Sequence, residues 1–287
     1  MTQTHLISVL MPVYNTKEEY LRASIESILN QTFTDFEFII VNDGSTNNAE
    51  EVILSYKDNR IKYVKQENQG IVGALNNAWA KASGKYIARM DDDDFSNKDR
   101  FQIEFDFLEK HPEYSFVSSA YYIDDGVNKY RLKEMEEKPS KESFLWNSPF
   151  LHPCTMFRTE ALKRSNGYRV CKETMRAEDY DLYMRMYALG MKGYNIQKPL
   201  YVYFISQSKK KKYGQFKYSW YTAKVRAYGY KLMNIPLYRS FPYIIKPLII
   251  GVLPMKLIYN LRTQKVQRKL KQSLKKIILY KSKVICY

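Results

Sequence analysis

Cysteine is scarce in this chain. Only three occur in 287 residues, Cys154, Cys171 and Cys286, odd in number and nowhere spaced as CxxC. A disulfide framework is not implied, and neither is a structural zinc site. Four common catalytic signatures are also missing: a GxxxxGK[ST] phosphate loop, a GxGxxG turn after the first apolar run, an HExxH pair and a GxSxG elbow. Ordinary ATPases, dehydrogenases, zinc proteases and serine hydrolases lose weight accordingly. The opening Met1-Thr2-Gln3-Thr4-His5 has no basic segment ahead of a separate apolar one, so no secretory signal is read and a reducing cytoplasm is expected. The tail does not look like a membrane span either. Its most apolar part offers nine uncharged residues, Pro247–Met255, between Lys246 and Lys256. About 20 are needed to cross a bilayer.

Acid is the other absence. From Lys209 onward there are 20 lysines and arginines and no aspartate or glutamate, whereas residues 1–208 hold all 30 acids and the other 26 bases. A slightly acidic body followed by a strongly basic tail divides the chain into residues 1–208 and 209–287, the second suited to an anionic surface.

Within the body, hydrophobic periodicity alternates between strand and helix. Leu6–Met11 reads as a buried strand ended by Pro12. Thr16 and Glu19 have capping-box spacing before a helix that presents Leu21, Ile25, Ile28 and Leu29 on one face. Strands follow at Phe36–Val41, Ile61–Val64 and Tyr86–Met90, with helices near Ala49–Tyr56 and Ile71–Ala82, the latter closed by Gly84. This βαβαβαβ order predicts parallel strands with right-handed crossovers. Later segments read as strands at Phe116–Tyr121, Cys154–Phe157 and Pro199–Phe204, and as a helix over Glu178–Leu189 stopped by Gly190.

Two acidic sites then stand where strands end: Asp43, and the run Asp91-Asp92-Asp93-Asp94. Adjacent carboxylates repel one another, so they either lie in water or face a cation. In open α/β sheets ligands bind at the carboxyl ends of strands. A carboxylate-rich site there suits Mg²⁺ or Mn²⁺ clamping a diphosphate. Simpler readings exist for each part. Asp43-Gly44-Ser45 forms an Asx turn, and the run caps the helix carrying Phe101 and Phe105.

Five segments together resemble the family 2 glycosyltransferases of GT-A fold: Ser8–Asn15, Val41–Thr46, Glu67–Gly70, Ala88–Asp94 and Ala177–Asp181, in family order across roughly residues 6–205. The resemblance implies an α/β, mostly parallel GT-A sheet and inverting transfer of one sugar from a nucleoside diphosphate sugar, with UDP-sugars leading. Pro12, Val13, Tyr14 and Asn15 would border the base, with Asp43 accepting from base or ribose. Asp91 and Asp93 look like the DxD pair, Asp93 the more direct metal ligand and Asp92 beside the donor. Asp179 matches the ED motif as general base, with Glu178 and Asp181 as neighbours and Asp181 the rival candidate. Asn68 and Gly70 look like the loop over the nucleotide, or a helix start. Arg89 pairs with the carboxylates or with phosphate, and His152 approaches the metal or acceptor or is a satisfied structural histidine.

Departures from the family are Asn47 in place of the usual aspartate after Thr46, the charged Asp92 within the DxD, and the lack of a QxxRW stretch. The last argues against a processive synthase. In the tail, Phe241–Leu253 is strongly apolar, and Val266, Leu270, Leu274, Ile277 and Ile278 fall on one helical face among lysines and arginines. Such a stretch lies in a membrane interface. Packing of a helical pair on the body is the alternative, and nucleic acid, met by Tyr213, Phe216, Tyr218, Trp220 and Tyr221, is the competing partner. The expectation is an enzyme peripheral on the inner face of a bacterial cell membrane, acting on a lipid-linked envelope saccharide. A non-catalytic protein on the same scaffold is the rival.

Overall fold

The computed structural model describes residues 5–126, 130–205 and 216–252. Strands β1 (Ile7–Val13), β2 (Phe36–Asp43), β3 (Ile61–Gln66) and β4 (Tyr86–Arg89) are parallel and lie in the order β3-β2-β1-β4, joined through α1 (Glu18–Leu29), α2 (Ala49–Leu54) and α3 (Gly70–Ala80). The chain continues through β5 (Phe95–Ser96), α4 (Arg100–Lys110), β6 (Phe116–Asp124), β7 (Arg131–Lys133), β8 (Met156–Arg158), α5 (Thr159–Arg164), α6 (Glu178–Ala188) and β9 (Gly193–Phe204). Beyond β4 the sheet runs β8-β6-β9-β5, with β8 antiparallel to both neighbours and β9 parallel to β6. This is the expected α/β, mostly parallel GT-A arrangement, with a helical C-terminal part.

The central strands are apolar on both faces because helices cover both. Side chains alternate across a strand, and the two cores follow that alternation. Ile7, Val9, Met11 and Val13 of β1, with Phe38 and Ile40 of β2, pack under α1, α2 and α4. Leu10, Ile39, Val41 and Ile87 face the other way, onto α3, α5 and α6. Strand order reverses at β1, since β2 and β3 lie on one side of it and β4 on the other. A crevice therefore opens above the carboxyl ends of β1 and β4.

Several local expectations are corrected. Pro12 does not end β1, which runs on to Val13. The Leu10 carbonyl accepts from Met90 at the end of β4, so Pro12, two residues on and facing the same side, lies where no strand needs an N–H donor. The capping box of Thr16 does not form. Lys17 is the N-cap of α1 without a side-chain bond, and the Thr16 hydroxyl is drawn instead to Asp92. Gly84 is no helix terminator. A Cβ there would stand 2.6 Å from the Ser8 nitrogen, so glycine is required by the close approach of two backbones. The helix after β2 stops at Leu54, α3 is capped at Lys81, and β8 starts only at Met156, because His152–Cys154 forms a 3₁₀ turn around Pro153. Asp99, not the aspartate run, stands at the N-cap position of α4, without a side-chain bond.

After β9 come α7 (Phe216–Leu232) and α8 (Leu237–Val252). Helix α7 lies on the body. Val225 and Tyr230, with Met233 and Ile235 just beyond it, join the core under α6. A Cβ at Gly229 would meet the Met184 sulfur at 2.3 Å. Buried Arg226 donates to the carbonyls of Trp146 at 2.9 Å and Tyr243 at 2.7 Å. Among the described residues no helix is long and apolar enough to cross a membrane. The basic face built on Val266–Ile278 lies outside the described residues.

Candidate active site

Leaving β4, the chain turns through the four aspartates, and each is held differently. The Arg89 side chain is buried and folds back so that Nη2 donates to Asp91 Oδ1 at 2.5 Å and Nη1 to the Met90 carbonyl. The Asp91 N–H donates to the Tyr201 hydroxyl at 3.2 Å. Asp92 points to the β1–α1 loop and accepts from Tyr14 N–H at 3.1 Å and from the Thr16 hydroxyl. Burial, with the charges of Asp93 and Asp91 adding, pushes its carboxyl up to about 7. Asp94 accepts from Phe204 N–H at 2.8 Å, and its own carbonyl accepts from Ser24 Oγ at 2.6 Å. Carboxylate oxygens of Asp91, Asp93 and Asp94 lie within 4.8 Å of one another. An all-oxygen set of this kind fits a hard cation such as Mg²⁺ or Mn²⁺.

Across the crevice, Asp43 closes β2. Its Oδ1 accepts from Gln66 Nε2 at 2.7 Å and Gln69 N–H at 2.8 Å, and Asn68 Nδ2 donates to its carbonyl at 3.0 Å. Gly44 at φ +73 lets the Asn68 backbone approach, where a Cβ would be 2.9 Å away. Asn15, itself left-handed at φ +54, accepts from Thr46 N–H at 2.8 Å and ties the loop after β1 to the loop after β2. Between these loops lies a cavity of about 650 Å³. Pro12, Val13, Tyr14, Asp43, Asn68, Gly70, Asp91 and Asp92 all line it. Asn15 and Arg89 do not line it; both act on loops that do.

Glu178 and Asp179 open α6, and Asp179 is half-buried. Burial is the first cause raising both carboxyls, to about 6 for Asp179 and about 8 for Glu178; Asp91 raises both further and Arg89 opposes. Both carboxyls are thus held above the usual carboxylate range, and the two neighbours titrate as a pair. These shared influences also bring the pair electrostatically next to the aspartate run. Asp181 is different. It is buried and gripped by Arg169 at 2.5 Å and Arg185 at 2.7 Å, so both its oxygens are engaged. His152 is enclosed as well, 2.8 Å from the Tyr168 hydroxyl, and kept neutral by burial and the Arg89 charge.

Residues 8–165 match the sequence profile of Glycosyl transferase family 2. The chain belongs to this family. The transferase is 34% identical over 254 residues to the "Putative glycosyltransferase EpsE" of Bacillus subtilis (strain 168), covering 86% of this chain and 90% of that protein. In three dimensions the glycosyltransferase is similar to S. aureus TarS 1-349 solved with UDP-GlcNAc, with a TM-score of 0.67 and 20% identity over 88% of this chain and 77% of that one. It is also similar to the mannosyltransferase PcManGT from Pyrobaculum calidifontis solved with GDP-Man and Mn²⁺, with a TM-score of 0.58 and 17% identity over 93% and 81%.

Sequence reasoning missed four residues that line the cavity: Ile71, Met175, Arg176 and Tyr218. Tyr218 drew attention only as one of the tail's aromatics, and nothing local in the sequence joins it to a pocket built by the first strands. The bonding of Asp92 separates it from the other acids of this glycosyltransferase. Asp92→Ala should weaken nucleotide binding by about tenfold, roughly one hydrogen bond to a charged group, and do so equally with and without added metal. Titration calorimetry at two metal concentrations checks this, and a loss confined to the metal-loaded protein would contradict it.

Proposed function

We propose that this glycosyltransferase moves a single sugar from a UDP-sugar to a lipid-linked saccharide in bacterial envelope glycan synthesis, inverting the anomeric centre. The observation that supports the reading is that Asp43, Asp91 and Asp92 line one crevice at the strand ends, while Asp93 and Asp94 line a separate cavity with Tyr20 and Phe204 yet bring carboxylate oxygens within 4.8 Å of Asp91, and Asp179 is electrostatically coupled to Asp91. Solved neighbours of the same fold hold UDP-GlcNAc, or GDP-Man with Mn²⁺. In this reading Pro12, Val13 and Tyr14 border the base with Asn15 holding their loop in place, Asp43 takes a hydrogen bond from base or ribose, and Asn68 and Gly70 form the loop over the nucleotide. Asp91 and Asp93 would hold Mn²⁺ or Mg²⁺, whose chemistry is to neutralise the departing diphosphate.

Asp179 is the base. It takes the acceptor hydroxyl proton as that oxygen bonds to the anomeric carbon, while the bond from that carbon to the diphosphate oxygen breaks and the nucleoside diphosphate leaves. A displacement of this kind inverts configuration. Burial holds the Glu178 carboxyl well above the usual range, which makes it the poorer base of the two, and the arginine grip on Asp181 favours Asp179 over it. The acceptor and the peripheral location on the inner membrane face find support in α7 and α8. Leu237, Tyr238, Phe241, Ile249 and Val252 are exposed there beside Arg239 and Lys246, and the described and remaining tail carries no acid. A basic apolar surface of this kind suits an anionic membrane.

A thermal-shift screen of nucleoside diphosphate sugars should show a metal-dependent rise with a UDP-sugar, about 2.7 kcal/mol of stabilisation at 100 times Kd. Asp93→Ala should remove that rise, and a folded wild-type sample unmoved by every donor would overturn the reading. Asp179→Asn should bind donor normally and lose roughly 10²–10⁴-fold in transfer. Because the working form of Asp179 is the deprotonated one and its carboxyl sits at about 6, wild-type kcat/KM should fall as pH drops through that value. A profile flat down to pH 5 would point to another base. Finally, the full chain should co-sediment with vesicles containing anionic lipid, less so at high salt, and not with neutral vesicles; equal binding to both would remove the electrostatic part of the proposal.

A further inference from the structure

Arg176 stands two residues ahead of Glu178, in the loop that delivers α6 to the crevice. Its backbone is left-handed at φ +66, an uncommon state for a side-chain-bearing residue. Its guanidinium lies over the ring of Tyr218 on α7, 4.1 Å from the centroid. Two further contacts strap this loop to the same helix: Arg169 over the Tyr228 ring at 4.3 Å, and Lys224 to Glu173 at 3.3 Å. Both Arg176 and Tyr218 line the cavity that holds Asp43, Asp91 and Asp92.

Charge gives this arrangement its meaning. Among the described residues lining the cavity, Arg176 is the one basic side chain, against three acids. Arg89, the other nearby cation, is buried and committed to Asp91. A diphosphate entering here meets three carboxylates and needs a positive group beside them. A guanidinium can meet two phosphate oxygens at once, and an aromatic face beneath it limits the directions it can take.

We propose that Arg176 is a diphosphate-binding residue of the donor site and that Tyr218 is its positioning residue, so that α7 of the basic tail supplies part of the donor pocket. The inference rests on the nucleotide-sugar reading given above and names residues that the family-matched segment, residues 8–165, does not contain.

The test compares UDP with UMP, which keeps the base and ribose but lacks the second phosphate. Both are titrated by calorimetry, with Mn²⁺ present, into the full chain and its variants. Arg176→Ala should weaken UDP binding by about 10- to 100-fold, as expected for a charge-assisted hydrogen bond to phosphate, and leave UMP binding within about twofold. Arg176→Lys should recover part of the loss. Tyr218→Phe, which keeps the ring, should bind UDP as wild type does, and Tyr218→Ala should reproduce a fraction of the arginine defect with the same bias towards UDP. Unchanged UDP binding in Arg176→Ala, or an equal loss of UDP and UMP, would overturn the inference and leave the donor reading standing. A wild-type chain that binds neither nucleotide would overturn both.

Discussion

One buried positive charge makes the centre of this molecule possible. Asp91 after β4 acts on Glu178 and Asp179 at the start of α6, and the buried Arg89 guanidinium serves all three, donating to Asp91 and opposing the upward shift of the Glu178 and Asp179 carboxyls. Without it, Asp91 would face acidic neighbours with no fixed counter-charge, a costly state in a low-dielectric setting. A second buried cation braces the first. Arg100 of α4 donates to the Arg89 carbonyl at 2.9 Å and is paired with buried Glu104 at 3.1 Å, so the end of β4 is held from below as well as from within. The same charge acts on His152, which it helps keep neutral.

Around that centre the four aspartates divide their work by direction. Asp91, Asp93 and Asp94 converge, whereas Asp92 turns away and fastens the β1–α1 loop, whose start lines the cavity. The Asp92 carboxyl is therefore used to hold the β1–α1 loop. Two loops separated by 76 residues in sequence are joined by a single side chain, and the Asn15 bond to Thr46 adds a third. The rim of the cavity is thus one hydrogen-bonded unit resting on the ends of three adjacent parallel strands.

Much of this was legible in the chain. Continuous apolar runs ending in aspartate identified the parallel strands and the side of the sheet where chemistry collects, because burial on both faces leaves no other pattern. What failed to read through was competition at long range. Thr16 and Glu19 make a sound local capping signal, but Asp92 offers the hydroxyl a charged acceptor that no window around residue 16 contains. Gly84 looked like a helix terminator because that is the commonest use of glycine after a helix, whereas its real constraint is the neighbouring backbone of Ser8. Tyr218 was visible as an aromatic among lysines, and its place beside Arg176 depends on how a helix near the end of the chain returns to the first strands.

The packing of α7 carries an evolutionary consequence. Val225 and Tyr230 complete a core begun by Leu10 and Ile39, and Arg226 closes the carbonyl of Trp146. A basic tail fastened in this way cannot be exchanged between relatives as a cassette, since any substitute must refill the same hydrophobic face before it can meet a new surface. Divergence of this region is therefore expected to proceed by changing the outward residues of α7 and α8 one at a time, with the inward ones conserved in size and the fold of the catalytic body left untouched.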